Sequence, residues 1–250
     1  MKLKHLYFIS LVLIAVSCNS NKNHLAKISA KTIAIDSTII SDSDITSIID
    51  PYKQKLSSEM NKILCYALVD FVKYDGNMQS SLGNLMADLS YEIANPIFKE
   101  LTNSNIDFVL FNYGGMRAII PKTEVTTEVA YKLMPFENQL VVATLSGTKV
   151  IELFNYFTNR KRAHPLSKQV QLTIKGDEYA LLINGKPFDK NKTYNVLTSD
   201  YLQNGGDNMV FFKEPKKLTN LNLKVREAII QYFAKVDTLK ANFDNRVIIQ

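Results

Sequence analysis

The chain has 250 residues, of which 46% are hydrophobic and 22% are charged. This composition is typical of a globular protein and excludes a largely disordered chain. The formal net charge of +6 is small and spread along the sequence, so the charge does not predict a nucleic-acid partner.

Residues 1–17 predict a secretory signal peptide, because a basic start precedes an apolar run over 6–16. The run is shorter than the roughly 20 residues that a membrane-spanning helix needs. Cys18 completes Ala-Val-Ser-Cys, which resembles a bacterial lipobox although alanine stands where leucine is usual. The resemblance implies attachment of a lipid such as palmitate to Cys18, which would hold the protein to a membrane of the cell envelope, facing the periplasm. The alternative is an ordinary signal peptide followed by a chance cysteine.

Residues 18–43 are mostly polar and predict a tether, with a short strand expected at Thr32–Ile35. Cys65 is the only cysteine besides Cys18, so acylation of Cys18 would leave no pair for an internal disulfide. Cys65 lies in an apolar stretch, which predicts a buried, inert thiol.

Residues 44–250 predict one α+β domain, a mixed β-sheet covered by helices, with no dividing linker. Apolar residues recur every three or four positions over Asp44–Leu64, which predicts an amphipathic helix. Pro51 is tolerated near the start of that helix, since the first turn does not use its N–H. The elements that follow are predicted as strand Val69–Tyr74, helix Gly83–Tyr91 limited by Pro96, strand Ile106–Phe111, helix Thr126–Leu133, strand Gln139–Leu145, helix Thr148–Phe157, strands Val170–Ile174 and Tyr179–Ile183 joined as a hairpin, strand Tyr194–Thr198, helix Leu223–Phe233 and strand Arg246–Ile249.

The histidines do not predict a metal centre. His5, His24 and His164 are the only ones, and no two are spaced to bind one ion. No Asp-x-Asp-x-Asp run is present to hold a hard cation. Ser-His-Asp catalysis would depend on His164 alone. We therefore expect no metal ligand, cofactor or catalytic residue in this chain.

Three segments combine glycine or aromatic residues with polar groups near predicted strands. Residues 111–117 read Phe-Asn-Tyr-Gly-Gly-Met-Arg, in which the glycines allow positive φ and close approach while asparagine and arginine offer hydrogen bonds. Residues 133–138 read Leu-Met-Pro-Phe-Glu-Asn, in which proline stiffens the backbone before a ring. Residues 199–207 read Ser-Asp-Tyr-Leu-Gln-Asn-Gly-Gly-Asp. Each segment alone is weak, because glycine pairs usually mark turns and Phe136 or Tyr201 would more often be core residues.

In this order the segments resemble the Asn-x-Gly-Gly-x-Arg, Leu-Pro-Phe and Phe-Leu-x-x-Gly-Gly-Asp motifs of the C-terminal, substrate-binding domain of the 5′-nucleotidase family. The resemblance extends from about Asp44 to the end and includes Leu-Gly-Asn-Leu at 82–85 and Asn-Arg-Val-Ile at 245–248. Two positions depart from the family pattern. Residues 74–81 lack the usual arginine and glutamate, and Ser167-Lys168 stands where a Ser-Gly or Gly-Gly pair is common.

The resemblance implies a role for each matching side chain. Phe136 and Tyr201 would stack on the two faces of a nucleobase, and Asn112 would contact the base. Arg117 and Asp207 would bind the ribose region. Stacking of a base on an aromatic ring contributes about 1–3 kcal/mol and tolerates any base, so tyrosine in place of the usual phenylalanine at 201 preserves this contribution.

Whole enzymes of this family carry an N-terminal metallophosphoesterase domain that holds a dinuclear metal centre. The resemblance therefore implies that this chain is the nucleotide- or nucleoside-binding component of a 5′-nucleotidase in nucleotide catabolism and salvage. The divalent metal ions would belong to a separate metallophosphoesterase chain. One alternative is a lipoprotein that binds nucleosides or nucleotides without a catalytic partner. Another is a structural or interaction protein that has lost the pocket.

Overall fold

A computed structural model describes residues 25–240 and 243–250. The predicted signal peptide and Cys18 lie outside these residues, so the lipid anchor stays a prediction. Residues 25–42 contain no helix or strand. The predicted strand Thr32–Ile35 is therefore wrong; its residues are exposed, and an isolated strand has no neighbour to satisfy its backbone hydrogen bonds. No helix in the described part of the chain is long and apolar enough to cross a membrane.

Helices are interspersed with single strands and with runs of consecutive strands along the chain. The helices are α1 (Ser43–Met60), α2 (Ser81–Thr102), α3 (Thr127–Leu133), α4 (Gly147–Arg160), α5 (Asp200–Gln203) and α6 (Val225–Lys235). The strands are β1 (Ile63–Ala67), β2 (Phe108–Val109), β3 (Glu124–Thr126), β4 (Gln139–Ser146), β5 (Val170–Lys175), β6 (Glu178–Ile183), β7 (Lys186–Pro187), β8 (Thr193–Ser199), β9 (Lys217–Lys224), β10 (Thr238–Leu239) and β11 (Val247–Ile249). Short 3-10 turns occupy Tyr113–Gly115, Gly206–Asn208 and Val210–Phe212.

The described strands form three sheets, with the orders β10-β1-β3, β11-β5-β6-β7 and β2-β8-β4-β9. Parallel and antiparallel pairs occur together, since β2 runs parallel to β8 while β4 runs antiparallel to both β8 and β9. Helices α2 and α6 pack against each other, and α4 packs on β4. The predicted α+β class is confirmed.

Several predicted boundaries are wrong. Ile63 and Leu64 belong to β1 rather than to the preceding helix. The predicted strand Val69–Tyr74 is a loop in which only Phe71 makes a bridge, to Ile120.

Helix α2 continues through Pro96 to Thr102. The cost of proline inside a helix is about 3 kcal/mol, and burial of Ala94 and Phe98 on either side of it offsets that cost. Strand β9 was not predicted, and Leu223, assigned to a helix, lies in it.

The sheet with the strand order β2-β8-β4-β9, called the central sheet below, explains why three distant segments meet. Strands β2 and β8 are parallel, so residues 111–117 and 199–207, which follow them, leave the sheet at the same edge. Strand β4 is antiparallel to β8, with Leu140 opposite Ser199, so residues 133–138, which precede β4, reach that edge as well. The topology therefore places the candidate site at one end of this sheet.

Candidate functional site

A cavity of about 260 Å³ lies at this edge of the sheet. Its lining includes all of the predicted binding residues, namely Asn112, Arg117, Phe136, Tyr201 and Asp207. The cavity is mostly apolar, with polar groups from few side chains, which is the usual character of a small-molecule site. The structure thus brings together every residue that the motifs indicated.

The carboxylate of Asp207 is the polar centre of the cavity. Asn112 Nδ2 donates to Asp207 Oδ2 at 2.6 Å, and the Tyr201 hydroxyl donates to Oδ1 at 3.1 Å. The Tyr156 hydroxyl donates to the main-chain oxygen of Asp207 at 2.9 Å. These contacts hold Asp207 in a left-handed conformation with φ of 52°, which is uncommon for a residue with a side chain. Tyr201 therefore contributes a hydroxyl that the usual phenylalanine lacks, a role the sequence did not predict.

Phe136 and Tyr201 are not core residues. Their side chains are 40% and 48% exposed, although aromatic rings of this size are usually well buried. The Arg117 guanidinium lies 5.7 Å from the centre of the Phe136 ring, within the range of a cation–π contact. Both rings are therefore available to a ligand.

Arg226 on α6 holds the segment that carries Phe136. Its buried guanidinium donates to the carbonyl oxygens of Met134, at 3.2 Å, and Phe136, at 3.3 Å. It also pairs with the carboxylate of Glu137, and hydrogen bonds from Lys224 and Arg226 lower the pKa of Glu137 to about 2. Sequence reasoning missed Arg226; the only signal was a charged residue next to apolar positions of a predicted helix.

The glycines were expected to allow positive φ, and only the second glycine pair, Gly205 and Gly206, contains a residue that adopts it. Neither Gly114 nor Gly115 adopts positive φ; a Cβ on Gly115 would instead lie 2.8 Å from Asn112 Oδ1. Gly205 does have positive φ, at 89°. A Cβ on Gly206 would lie 2.4 Å from the Tyr201 ring. Both pairs therefore make room for binding residues.

His164 lies beside the cavity and is 5% exposed. Its Nδ1 accepts a hydrogen bond from the main-chain N–H of Tyr113 at 3.0 Å. Burial is the main cause that lowers the pKa of His164 to about 4, with an opposing effect of Asp207 and a smaller lowering effect of Arg162. The ring is therefore neutral near pH 7, and its proton lies on Nε2.

Among residues 25–240 and 243–250, no group of three or more His, Cys, Asp and Glu side chains is placed to hold a metal ion.

Cys65 is 2% exposed, and burial raises its thiol pKa to about 11, which confirms the predicted buried thiol. Ser167, at the second departure from the family pattern, is buried, and its hydroxyl accepts from the Val109 N–H at 2.9 Å. Its role is therefore structural.

Comparisons with known proteins agree with this geometry. Residues 69–214 match the family model for the 5′-nucleotidase C-terminal domain. The chain is 24% identical over 209 residues to cell wall protein Lmo0130 of Listeria monocytogenes, covering 74% of this chain and 26% of that protein. It is 29% identical over 147 residues to protein UshA of Yersinia enterocolitica, covering 57% of this chain and 27% of UshA.

A 5′-nucleotidase precursor from Thermus thermophilus has the same fold, with a TM-score of 0.65 and 22% identity, over 82% of this chain and 42% of that one. The chain spans less than half the length of each of these relatives. Because the family model covers more than half of the sequence and the family's motif residues meet at one cavity, the chain belongs to the family of the 5′-nucleotidase C-terminal domain.

Proposed function

We propose that the chain binds a nucleotide or nucleoside in the cavity at the end of the central sheet and is the substrate-recognition component of a 5′-nucleotidase. The observation that carries the proposal is the convergence of the three motifs on that cavity. Phe136 and Tyr201 offer exposed aromatic faces, on which a base can stack. Asp207 has acceptor capacity beyond its two hydrogen bonds, which suits the vicinal hydroxyls of a ribose.

Hydrolysis is assigned to a second protein in this proposal. A metallophosphoesterase generates its nucleophile from metal-bound water, and the described residues offer no ligand group for such a centre. The divalent ions would belong to a separate metallophosphoesterase chain. The lipid predicted at Cys18 would hold this chain to a membrane of the cell envelope, facing the periplasm, and the partner would act at the same membrane face. A nucleoside- or nucleotide-binding lipoprotein without a catalytic partner is the second candidate, since the same cavity would serve it.

The test is release of phosphate from AMP. The purified chain with added divalent metal should release none. Mixing it with a metallophosphoesterase chain from the same organism should give turnover, because base binding positions the phosphate at the partner's metal centre. Phe136→Ala should lower kcat/KM of the mixture for AMP and leave its activity on p-nitrophenyl phosphate unchanged. Metal-dependent release by the chain alone, after removal of contaminating phosphatases, would contradict the proposal. Nucleoside binding without any effect on a phosphoesterase would favour the second candidate.

A further inference from the structure

The hydroxyl of Tyr201 distinguishes this cavity from the family pattern, in which phenylalanine is usual at the same position. The proposed function uses only the exposed face of the ring, on which a base can stack. The hydroxyl lies at the tip of the ring and donates to Asp207 Oδ1 at 3.1 Å. It therefore lies beside the carboxylate to which the proposed function assigns the ribose.

The position of this hydroxyl is fixed from two sides. The main chain of Gly206 packs against the Tyr201 ring, and a Cβ on Gly206 would lie 2.5 Å from Cζ, the carbon that bears the hydroxyl. The hydrogen bond to Asp207 holds the tip of the ring. The side chain is nevertheless 48% exposed, so a ligand can reach it. A polar group that is already held in place binds a ligand without a further cost of ordering.

The hydroxyl offers acceptor capacity to a ligand. A tyrosine hydroxyl has one proton and also accepts hydrogen bonds. Its proton is donated to Asp207, so a ligand can meet the oxygen only with a donor. Donation to a carboxylate polarises the O–H bond, which makes the oxygen a stronger acceptor. The hydroxyl and the carboxylate together therefore form a row of acceptors, which suits a ligand with two adjacent donors.

The other oxygen of Asp207 is open to a ligand as well. Asn112 Nδ2 donates to Oδ2 at 2.6 Å, and a carboxylate oxygen can accept a second hydrogen bond. Gly114 lies next to this oxygen, because a Cβ on Gly114 would lie 3.5 Å from it. The lack of a side chain there keeps this side of the carboxylate accessible. Each of two neighbouring hydroxyls on one sugar can therefore have an acceptor of its own.

We propose that the Tyr201 hydroxyl makes the cavity selective for ribonucleosides over nucleosides that lack the sugar hydroxyls. The inference rests on the proposed function and deepens it, because it identifies the part of the ligand that is selected. One ribose hydroxyl donates to Asp207 Oδ2, and its neighbour donates to the Tyr201 oxygen. Tyr201 is thereby a specificity-determining residue that contacts the base with its ring and the sugar with its hydroxyl. A site built to hydrogen-bond a hydroxyl discriminates against the analogue that lacks it, because polar groups of the site are then left unpaired.

The test compares adenosine with 2′,3′-dideoxyadenosine by isothermal titration calorimetry on the whole protein. The unmodified protein should bind adenosine about tenfold to a hundredfold more tightly, since the analogue loses both sugar hydrogen bonds. Tyr201→Phe keeps the ring and removes only the hydroxyl. It should weaken adenosine binding about tenfold, which corresponds to about 1.4 kcal/mol. The same change should leave the affinity for dideoxyadenosine within about twofold, because the stacking ring is retained.

Tyr179→Phe is the matched control. The Tyr179 hydroxyl donates to Asn155 Oδ1, also at 3.1 Å, and Tyr179 does not line the cavity. Its replacement is the same chemical change at a distant position, so both affinities should stay unchanged. Circular dichroism would verify that both variants are folded.

Three results would overturn the inference while the proposed function stands. In the first, adenosine and dideoxyadenosine bind the unmodified protein equally, so the sugar hydroxyls contribute nothing. In the second, Tyr201→Phe binds adenosine as tightly as the unmodified protein does. In the third, Tyr201→Phe weakens both ligands equally, which would assign the effect to the placement of the ring. If neither ligand binds the unmodified protein, the proposed function fails and the inference fails with it.

Discussion

Replacing His164 by asparagine should remove a large pH dependence of stability. Burial lowers the pKa of His164 from 6.5 to about 4 in the folded protein, with Arg162 and Arg160 adding to this effect and Asp207 opposing it. Between these two values the unfolded chain binds more protons than the folded one, so the free energy of unfolding falls as the pH falls from 6.5 toward 4. About 2.5 pKa units correspond to about 3 kcal/mol of stability that is fully present above pH 6.5.

The assay is urea unfolding of the wild-type protein and His164→Asn at pH 7 and pH 4.5, followed by circular dichroism. Asparagine can place its side-chain oxygen near the position of Nδ1 and accept the Tyr113 N–H, but it does not titrate. The wild-type protein should therefore lose about 2 kcal/mol more than the variant between these pH values. The carboxylates are common to both proteins, so the difference isolates His164.

An equal loss of stability in both proteins would refute the reasoning. It would mean that His164 is charged or solvated in the folded state.

Three further predictions concern the lipid anchor and the residues that hold the binding side chains of the cavity in place. Cys18→Ser should release the protein from membranes and abolish labelling by a fatty-acid analogue; unchanged labelling would exclude lipidation at this residue. Arg226→Met should lower stability by about 1–3 kcal/mol, because it leaves carbonyl acceptors without their donor, and thermal unfolding would measure this loss. The same change should weaken nucleoside binding, because it loosens the segment that carries Phe136. Unaltered binding by calorimetry would contradict the positioning role. Gly206→Ala should weaken nucleoside binding without unfolding the domain, because its Cβ would lie 2.4 Å from the Tyr201 ring; full affinity by calorimetry would show that the ring position is unimportant.

Local patterns predicted the elements whose stability depends on near neighbours. The hairpin of β5 and β6 was predicted from two strand segments around Lys-Gly-Asp at 175–177, and its strands pair in register from Val170 with Ile183 to Lys175 with Glu178. Helices α3 and α4 begin and end within a few residues of their predicted bounds. In these segments the hydrophobic period alone selects the structure.

Elements that depend on distant partners were harder to predict. Strand β1 pairs with β3 and with β10, near the other end of the chain, and β9 pairs with β4. Their short sequences are compatible with helix or loop, and only the pairing partner decides. The same is true of α2, where burial on both sides of Pro96 overrides a local preference to end the helix.

The residues of the site were likewise predictable only in part. The motif order identified Asn112, Phe136 and Asp207, and the topology of β2, β4 and β8 explains why these residues meet. The contribution of Arg226 could not be predicted, because its acceptors lie about 90 residues earlier in the chain. The hydrogen bond from the Tyr201 hydroxyl to Asp207 was also not predicted. It depends on the left-handed backbone conformation of Asp207, which the sequence does not indicate.

The central claim is that the cavity at the end of the central sheet binds a nucleoside through residues of the three motifs. It is tested most directly by calorimetric titration of adenosine and uridine into the intact protein, Phe136→Ala and Tyr201→Ala. The rings are 40% and 48% exposed, so their truncation should leave the domain folded, as circular dichroism would verify. The intact protein should bind a nucleoside, and each variant should lose about 1–3 kcal/mol of binding free energy, the range for stacking of a base on an aromatic ring. No binding to the intact protein at millimolar nucleoside, or unchanged affinity in both variants, would contradict the claim.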